Sequence, residues 1–285
     1  MKTFMSIEKC NTDTCKNLDN FSLGCADDNN VKNKQNDNIN FYNKNIIITV
    51  ASNKGGVGKT SIAIALGMFL SQKIGRRTLL LELDSSPGDF GVLFDIEKDK
   101  SLELALRFPE KYNEFVKNVY KNLDVLKCVS NPLVAENIRK GSIDNLVDYI
   151  FRDYKCIVVD TQTVINGLVL DVLKLSDEIF IISEYSLESI ARVSNLFSML
   201  TEKFSVQGSR IKLIVNKKKF MHFFKIWDIS KVTEIPIYAV VKFDSGFTKS
   251  KFMFNKVNIL RTRFFKEISK VLLATSKGFE SYVKR

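Results

Sequence analysis

From position 46 onward, short runs of Ile, Val and Leu alternate with longer stretches in which apolar residues recur every three or four positions. The apolar runs predict strands at 46–51, 78–83, 123–128, 156–160, 178–182, 211–215 and 237–241. The longer stretches predict helices at 60–74, 111–120, 134–151, 167–175, 187–204 and 258–275. Such alternation is the pattern of an α/β fold, a doubly wound and mostly parallel sheet covered by helices. Gly75 falls just beyond the first helix, where a left-handed residue commonly closes the last turn. No repeat of about 20 to 50 residues is visible, which argues against a solenoid or a propeller.

The first 45 residues break this pattern. They are rich in Asn, Asp and Lys and follow neither period, so they bury too little surface to offset the entropy of ordering. The expected organisation is a disordered tail over 1–45 and one α/β domain over 46–285. A 45% hydrophobic content supplies a core of that size. No apolar run approaches the roughly 18 residues needed to cross a bilayer, and the polar N-terminus has no secretory character, so a cytoplasmic protein is expected.

Other features exclude chemistry. The five cysteines, Cys10, Cys15, Cys25, Cys128 and Cys156, contain no CxxC pair, which argues against a disulfide framework and a thiolate zinc site. His222 is the single histidine, so a histidine-rich metal centre is excluded and a Ser-His-Asp triad has no support. The net charge of +11 is unevenly placed: residues 210–285 carry 18 Lys and Arg against 5 Asp and Glu. That end suggests a polyanionic partner, either nucleic acid or an anionic membrane surface, although a basic end can also be a solubilising face.

The segment IIITVASNKGGVGKTSIAI, residues 46–64, runs from an apolar strand through a glycine-rich loop into an amphipathic helix. This is the context a phosphate-binding loop requires. Gly55, Gly56 and Gly58 remove the Cβ atoms that would keep backbone N–H groups from curling around a polyphosphate, and the helix N-terminus adds its positive end. Gly55, Gly56, Val57, Gly58, Lys59, Thr60 and Ser61 form the expected phosphate-binding set, with Lys59 reaching the β- and γ-phosphates and the Thr60 hydroxyl on Mg2+. Asp84 and Asp160 end the apolar runs TLLLELD and CIVVD, which places both at the C-terminal edge of the sheet, where such folds bind ligands.

The loop departs from GxxxxGK[ST]: Asn53 stands where the first glycine would be, and Lys54 follows it. The string KGGVGKT resembles the deviant Walker A loop of the ParA/MinD ATPases, and the resemblance extends from about residue 45 to near the C-terminus. It implies a P-loop NTPase fold, ATP and Mg2+ as cofactors, and an ATP-dependent homodimer. Lys54 would reach across to the partner's nucleotide as a cation supplied in trans. It further implies that Asp84 polarises the attacking water, that Asp160 helps hold Mg2+ through its water shell, and that Asn216 in KLIVNKK meets the adenine edge. LDSSPGDFGVLFDI and NLDVLKCVSNP look like the pilus-assembly and secretion branch of CpaE and TadZ proteins.

Two departures bear on turnover. The family usually carries DxD where this chain has Glu82 and Asp84, and a proline where it has Gln162. A longer acid at 82 could crowd the phosphate pocket. The expected function is therefore a dimerising ATPase switch that positions or partitions a cargo such as DNA, a pilus or secretion machine or another cell-surface assembly. A slow hydrolysis stimulated by a partner protein would reset it. The alternative is an ATP-binding scaffold that scarcely hydrolyses. Phe220, Phe223, Phe224 and Trp227 recur at helical spacing, as do Phe264, Phe265, Ile268, Val271 and Leu272; each stripe reads as core packing or as a partner or membrane contact. The protein would then work in the cytoplasm, at the nucleoid or at the membrane.

Overall fold

The computed structural model describes residues 45–84, 88–128, 141–218, 226–233, 235–244, 247 and 259–275. Residues 1–44 of the expected tail, His222, Phe220, Phe223 and Phe224 lie outside these residues. Strands β1 (Ile46–Ala51), β2 (Thr78–Leu83), β3 (Lys117–Tyr120), β4 (Leu123–Leu126), β5 (Cys156–Thr161), β6 (Glu178–Glu184), β7 (Ile211–Lys218) and β8 (Ile237–Lys242) form one sheet in the order 3-4-2-5-1-6-7-8. Every neighbouring pair is parallel except β3 with β4. The order reverses at β1, which lies between β5 and β6. A crevice at the carboxyl ends of these strands is where an open α/β sheet accepts a ligand.

Alternation along each strand sorts the core into two layers. On β1, Ile46, Ile48 and Val50 join one apolar cluster, while Ile47 and Ala51 join the other; on β5, Cys156 and Val158 divide from Ile157 and Val159 in the same way. The first layer contains α1 (Lys59–Gln72) and α9 (Arg263–Thr275). The second contains α3 (Leu102–Arg107), α5 (Ser142–Asp153), α6 (Gly167–Leu175), α7 (Leu187–Ser198) and α8 (Ile226–Thr233). Two single-turn helices, α2 (Phe90–Leu93) and α4 (Tyr112–Phe115), fill the loops before β3. Helix α1 is buried without interruption from Ile62 to Ser71, as a helix that is apolar on all sides must be. In α9, Phe264, Phe265 and Ile268 are buried in the first layer, so this stripe packs into the domain.

The expected helix over 111–120 is not what the chain forms. A 3-10 turn (Pro109–Lys111) leads into α4, and the remainder is β3, the antiparallel edge strand. The reason is a two-residue hairpin: Lys121 and Asn122 join β3 to β4, and Asn122 takes φ 61°. Asn tolerates the left-handed region that such turns need. The expected helix over 187–204 is α-helical only to Ser198 and ends in one π turn (Met199–Lys203). Gly75 adopts φ 81°, as its place after α1 predicts.

Candidate functional site

Chain geometry builds the site at the carboxyl ends of β1, β2 and β5. Val50 pairs with Asp160, and Glu82 pairs with the same residue from the other side. The loop 52–58 therefore leaves the sheet beside Asp160, with Asp84 two residues beyond Glu82. Gly56 and Gly58 have φ 74° and 99°, a region open to glycine and strained for other residues. Gly55 and Gly56 are exposed, whereas Val57 is fully buried and anchors the loop in the first core layer. Gly58 precedes α1, whose first turn contains no acidic residue, so its positive end faces the loop without a carboxylate of the helix's own. Thr60 and Ser61 are half-buried in that first turn.

Lys59 donates to Ser52 Oγ at 3.2 Å and to Thr163 Oγ1 at 3.2 Å. Burial depresses its pKa, and the nearby charges of Asp160 and Asp84 oppose that shift. The structure thus gathers the expected lysine and both expected carboxylates. Asp160 is buried and Asp84 half-buried. Ser52 also donates to the Lys54 carbonyl at 2.9 Å, which ties the loop's entrance to its own bend.

Glu82 occupies the position where a longer acid was expected to crowd the phosphates. Its Oε1 accepts the Phe90 amide at 3.0 Å and its Oε2 accepts the Cys128 amide at 3.1 Å, so the carboxylate is held between the loop after β2 and the end of β4. The fit is close: a Cβ on Gly88 would lie 2.1 Å from Glu82 Oε1. Burial raises the Glu82 pKa, opposed by those two amide donors.

Asn216, at the end of β7, lies beneath the loop. It is buried and donates from Nδ2 to the Val57 carbonyl at 2.9 Å. Its neighbour Lys217, held at φ 57°, donates to the Gly56 carbonyl and to Glu184 Oε1, the latter at 2.8 Å. Lys54 shares that carboxylate: its ammonium lies 3.6 Å from Glu184 Oε2 and 3.7 Å from Glu188 of the same chain.

Ser52, Thr163, Glu184, Glu188 and Lys217 were not singled out in the sequence. A signal existed for two of them. Glu184 ends β6 just as Asp160 lies near the end of β5, and Lys217 directly follows Asn216. Ser52 and Thr163 are ordinary loop hydroxyls whose role depends on where Lys59 folds.

A family model described as an AAA domain matches residues 45–213, more than half of the chain, and that span includes the loop and both carboxylates. An uncharacterised ATP-binding protein of Methanocaldococcus jannaschii is 30% identical over 141 residues, which cover 48% of this chain and 52% of that protein. The chain thus spans about half the length of that relative. A putative septum site-determining protein MinD of Guillardia theta is 24% identical over 208 residues, covering 70% of this chain and 75% of the relative. Among solved structures, a ParA family ATPase from Chlorobium tepidum superposes with a TM-score of 0.72 at 22% identity, covering 81% of this chain and 98% of the other. The septum site-determining protein MinD of Pyrococcus horikoshii, in complex with Mg-ADP, superposes with a TM-score of 0.68 at 14% identity, covering 85% and 99%. At such identities the superpositions establish the fold. Together with the matched region and the deviant loop, they mean that the chain belongs to the AAA domain family, among the ParA/MinD-type ATPases.

Proposed function

We propose that this protein is a Mg-ATP-dependent switch that pairs with a second copy of itself around nucleotide, hydrolyses ATP slowly and uses the cycle to position a cargo. The observation that carries the reading is the placement of two lysines on one glycine loop. Lys59 lies among Ser52, Thr163, Asp84 and Asp160, whereas Lys54 is part-exposed and turned to a separate group of acids, Glu184 and Glu188, at the rim of α7. A cation placed at the rim suits a neighbour's phosphates better than its own. In this reading Gly55, Gly56, Val57, Gly58, Thr60 and Ser61 wrap the phosphates, and Lys59 exchanges its hydroxyl partners for phosphoryl oxygens. Asp84 orients the attacking water. Asn216 keeps its nitrogen on Val57 and offers Oδ1 to the adenine amine.

The donor set suits Mg2+. Thr60, Asp84 and Asp160 offer only oxygen, and the described residues contain no cluster of three or more His, Cys, Asp or Glu that would form a protein cage. Mg2+ keeps several waters and takes other ligands from phosphate, so a few oxygens at the rim suffice. When bound, it would neutralise charge on the β- and γ-phosphates. Lys59, meanwhile, supplies a fixed positive charge from the protein itself.

Apolar side chains on the same face favour a protein partner there. Val92, Val164 and Leu187 are 87%, 69% and 70% exposed, and they lie on the segments that follow β2, β5 and β6. The position of the Glu82 carboxylate, held by the Phe90 and Cys128 amides, favours hydrolysis over the scaffold alternative. The cargo would be DNA or a cell-surface assembly, with a partner protein that localises or stimulates the switch. The basic end would meet DNA or an anionic membrane, and no helix among the described residues is long and apolar enough to cross a bilayer.

Two variants test the reading. Lys59→Ala should abolish ATP binding measured by equilibrium dialysis. Lys54→Ala should bind ATP normally yet lose ATP-dependent dimerisation, read by light scattering, and lose phosphate release. Equal dimerisation of both variants with and without ATP would overturn it.

A further inference from the structure

The lysine assigned to the partner's nucleotide is engaged by its own chain. Lys54 Nζ lies 3.6 Å from Glu184 Oε2 and 3.7 Å from Glu188 Oε2, so the ammonium sits between two carboxylates. Both acids are fixed from behind. Glu184 Oε1 accepts from Lys217 at 2.8 Å, and Glu188 Oε1 pairs with Arg192 Nη2 at 3.1 Å. The backbone is fixed as well: Asn53 Nδ2 donates to the Arg192 carbonyl at 2.6 Å, which ties the loop to α7. Lys217 keeps the Glu184 carboxyl below the usual carboxylate range against the opposing effect of burial, and Lys54 adds to this, so it remains an anion.

We propose that Glu184 and Glu188 are positioning residues for Lys54, which hold its ammonium on its own subunit until nucleotide-driven pairing takes it away. This rests on the reading of Lys54 as a cation delivered in trans. A dimer would then form only when the phosphates of the opposing site outcompete two resident carboxylates. Nucleotide-free encounters supply no such competitor, so the arrangement suppresses pairing without ATP. The protomer competent for pairing is the fraction with Lys54 released, and the apparent affinity of the dimer falls with that fraction.

The size of the effect follows from the setting. The Lys54 and Glu184 side chains are about one-quarter exposed and Glu188 is well exposed, so each contact is screened. Part-exposed pairs of this kind contribute roughly a two- to fivefold bias each. A symmetric dimer must release two lysines, so removing the Glu188 contact should raise the dimerisation constant by the square of that factor, about four- to twenty-fivefold. Glu188→Gln is the cleaner variant, because Glu184 also holds Lys217 and through it the Gly56 carbonyl.

Two measurements on the full-length chain test this. The first uses nucleotide-free monomer and compares acylation of Lys54 by an N-hydroxysuccinimide ester with that of exposed Lys73, resolved by peptide mass spectrometry. Lys54 should react more slowly than Lys73 in the wild type, and the ratio should rise in Glu188→Gln and further in Glu184→Gln/Glu188→Gln. An unchanged ratio in the double variant would overturn the proposal. The second titrates ATP and follows dimer formation. Glu188→Gln should reach half-dimerisation at several-fold lower ATP, and Glu188→Asp should lie between it and the wild type. A higher ATP requirement in Glu188→Gln would mean that Glu188 presents Lys54 rather than restrains it, and would also overturn the proposal. If the wild type fails to dimerise with ATP, the switch reading falls, whereas the acylation ratio still decides whether the carboxylates hold Lys54.

Discussion

Gly58 is the position at which the loop is least able to change. It sits at φ 99° and ψ 29°, and an added Cβ would lie 2.4 Å from Asn216 Nδ2. Gly58→Ala therefore meets two separate obstacles. A non-glycine residue held in the left-handed region costs about 1–2 kcal/mol. The methyl group must also displace a buried amide that donates to Val57 at 2.9 Å, and a buried hydrogen bond broken in this way costs a further ~1–3 kcal/mol. The expected total is about 2–5 kcal/mol, from the backbone and the displaced amide together.

A double-mutant cycle separates the two terms. Asn216→Ala alone loses the support of Val57, but in that background the methyl group of Gly58→Ala has no amide to displace. Only the backbone penalty remains, so Gly58→Ala should cost ~1–2 kcal/mol there and the cycle should show a coupling of about 1–3 kcal/mol. Urea unfolding of the four proteins gives the stabilities, and Mg-ATP affinity measured in parallel shows whether the loop keeps its shape. The reasoning fails if Gly58→Ala costs the same in both backgrounds, or if its total cost is below about 0.5 kcal/mol, the ordinary range for an unremarkable surface change.

Three further outcomes are expected. Burial holds the Glu82 proton more tightly in the folded than in the unfolded chain, so its contribution to stability is complete in acid and is lost as pH rises from the usual carboxylate range through the raised folded value; Glu82→Gln should flatten that part of a urea-midpoint profile. Tyr154→Phe removes the hydroxyl that donates to Asp124 Oδ2 at 2.6 Å and should lower unfolding stability by ~1–3 kcal/mol while leaving ATP affinity unchanged, because the pair lies at the amino ends of β4 and β5 and the loop at the carboxyl end of β1. Burial pushes the Cys128 thiol up to about 12 and that of Cys156 up to about 11, so neither should be alkylated at neutral pH in the folded protein, and both should label after denaturation in peptide maps.

The sequence exposes the fold wherever one physical signal dominates. Strands β1 and β2 are mostly apolar and buried at every position because both faces are covered, and their limits coincide with the predicted runs. Loop residues 55–60 are recognisable because glycine, lysine and hydroxyl chemistry must occur together there. Signals compete at 111–120: apolar spacing there imitates a helix, while Lys121–Asn122 demands a hairpin, and the hairpin prevails because β3 can pair with β4. The surroundings of Lys54 are illegible for a different reason. Glu184 and Glu188 are more than a hundred residues away along the chain, and only the parallel pairing of β1 with β6 brings them beside the loop.

The same pairing gives the site its electrostatic character. Each lysine of the loop has a resident pair of acids: Asp84 and Asp160 act on Lys59, and Glu184 and Glu188 contact Lys54. A triphosphate entering this site does not meet free cations. In the proposed reading it takes Lys59 from the hydroxyls of Ser52 and Thr163 within the field of Asp84 and Asp160, whereas the lysine offered by another subunit must leave Glu184 and Glu188. Asp84 and Asp160 would help to hold Mg2+ beside the phosphates, and its charge would offset theirs. Glu184 and Glu188 already have Lys217 and Arg192 behind them, so they can release Lys54 without being left uncompensated. The first exchange can be completed within one subunit, whereas the second is useful only when another subunit's phosphates are within reach of Lys54. In the proposed switch, nucleotide binding and pairing would be separate steps opposed by different acids, so that the protein would hold ATP as a monomer and commit to a dimer only afterwards.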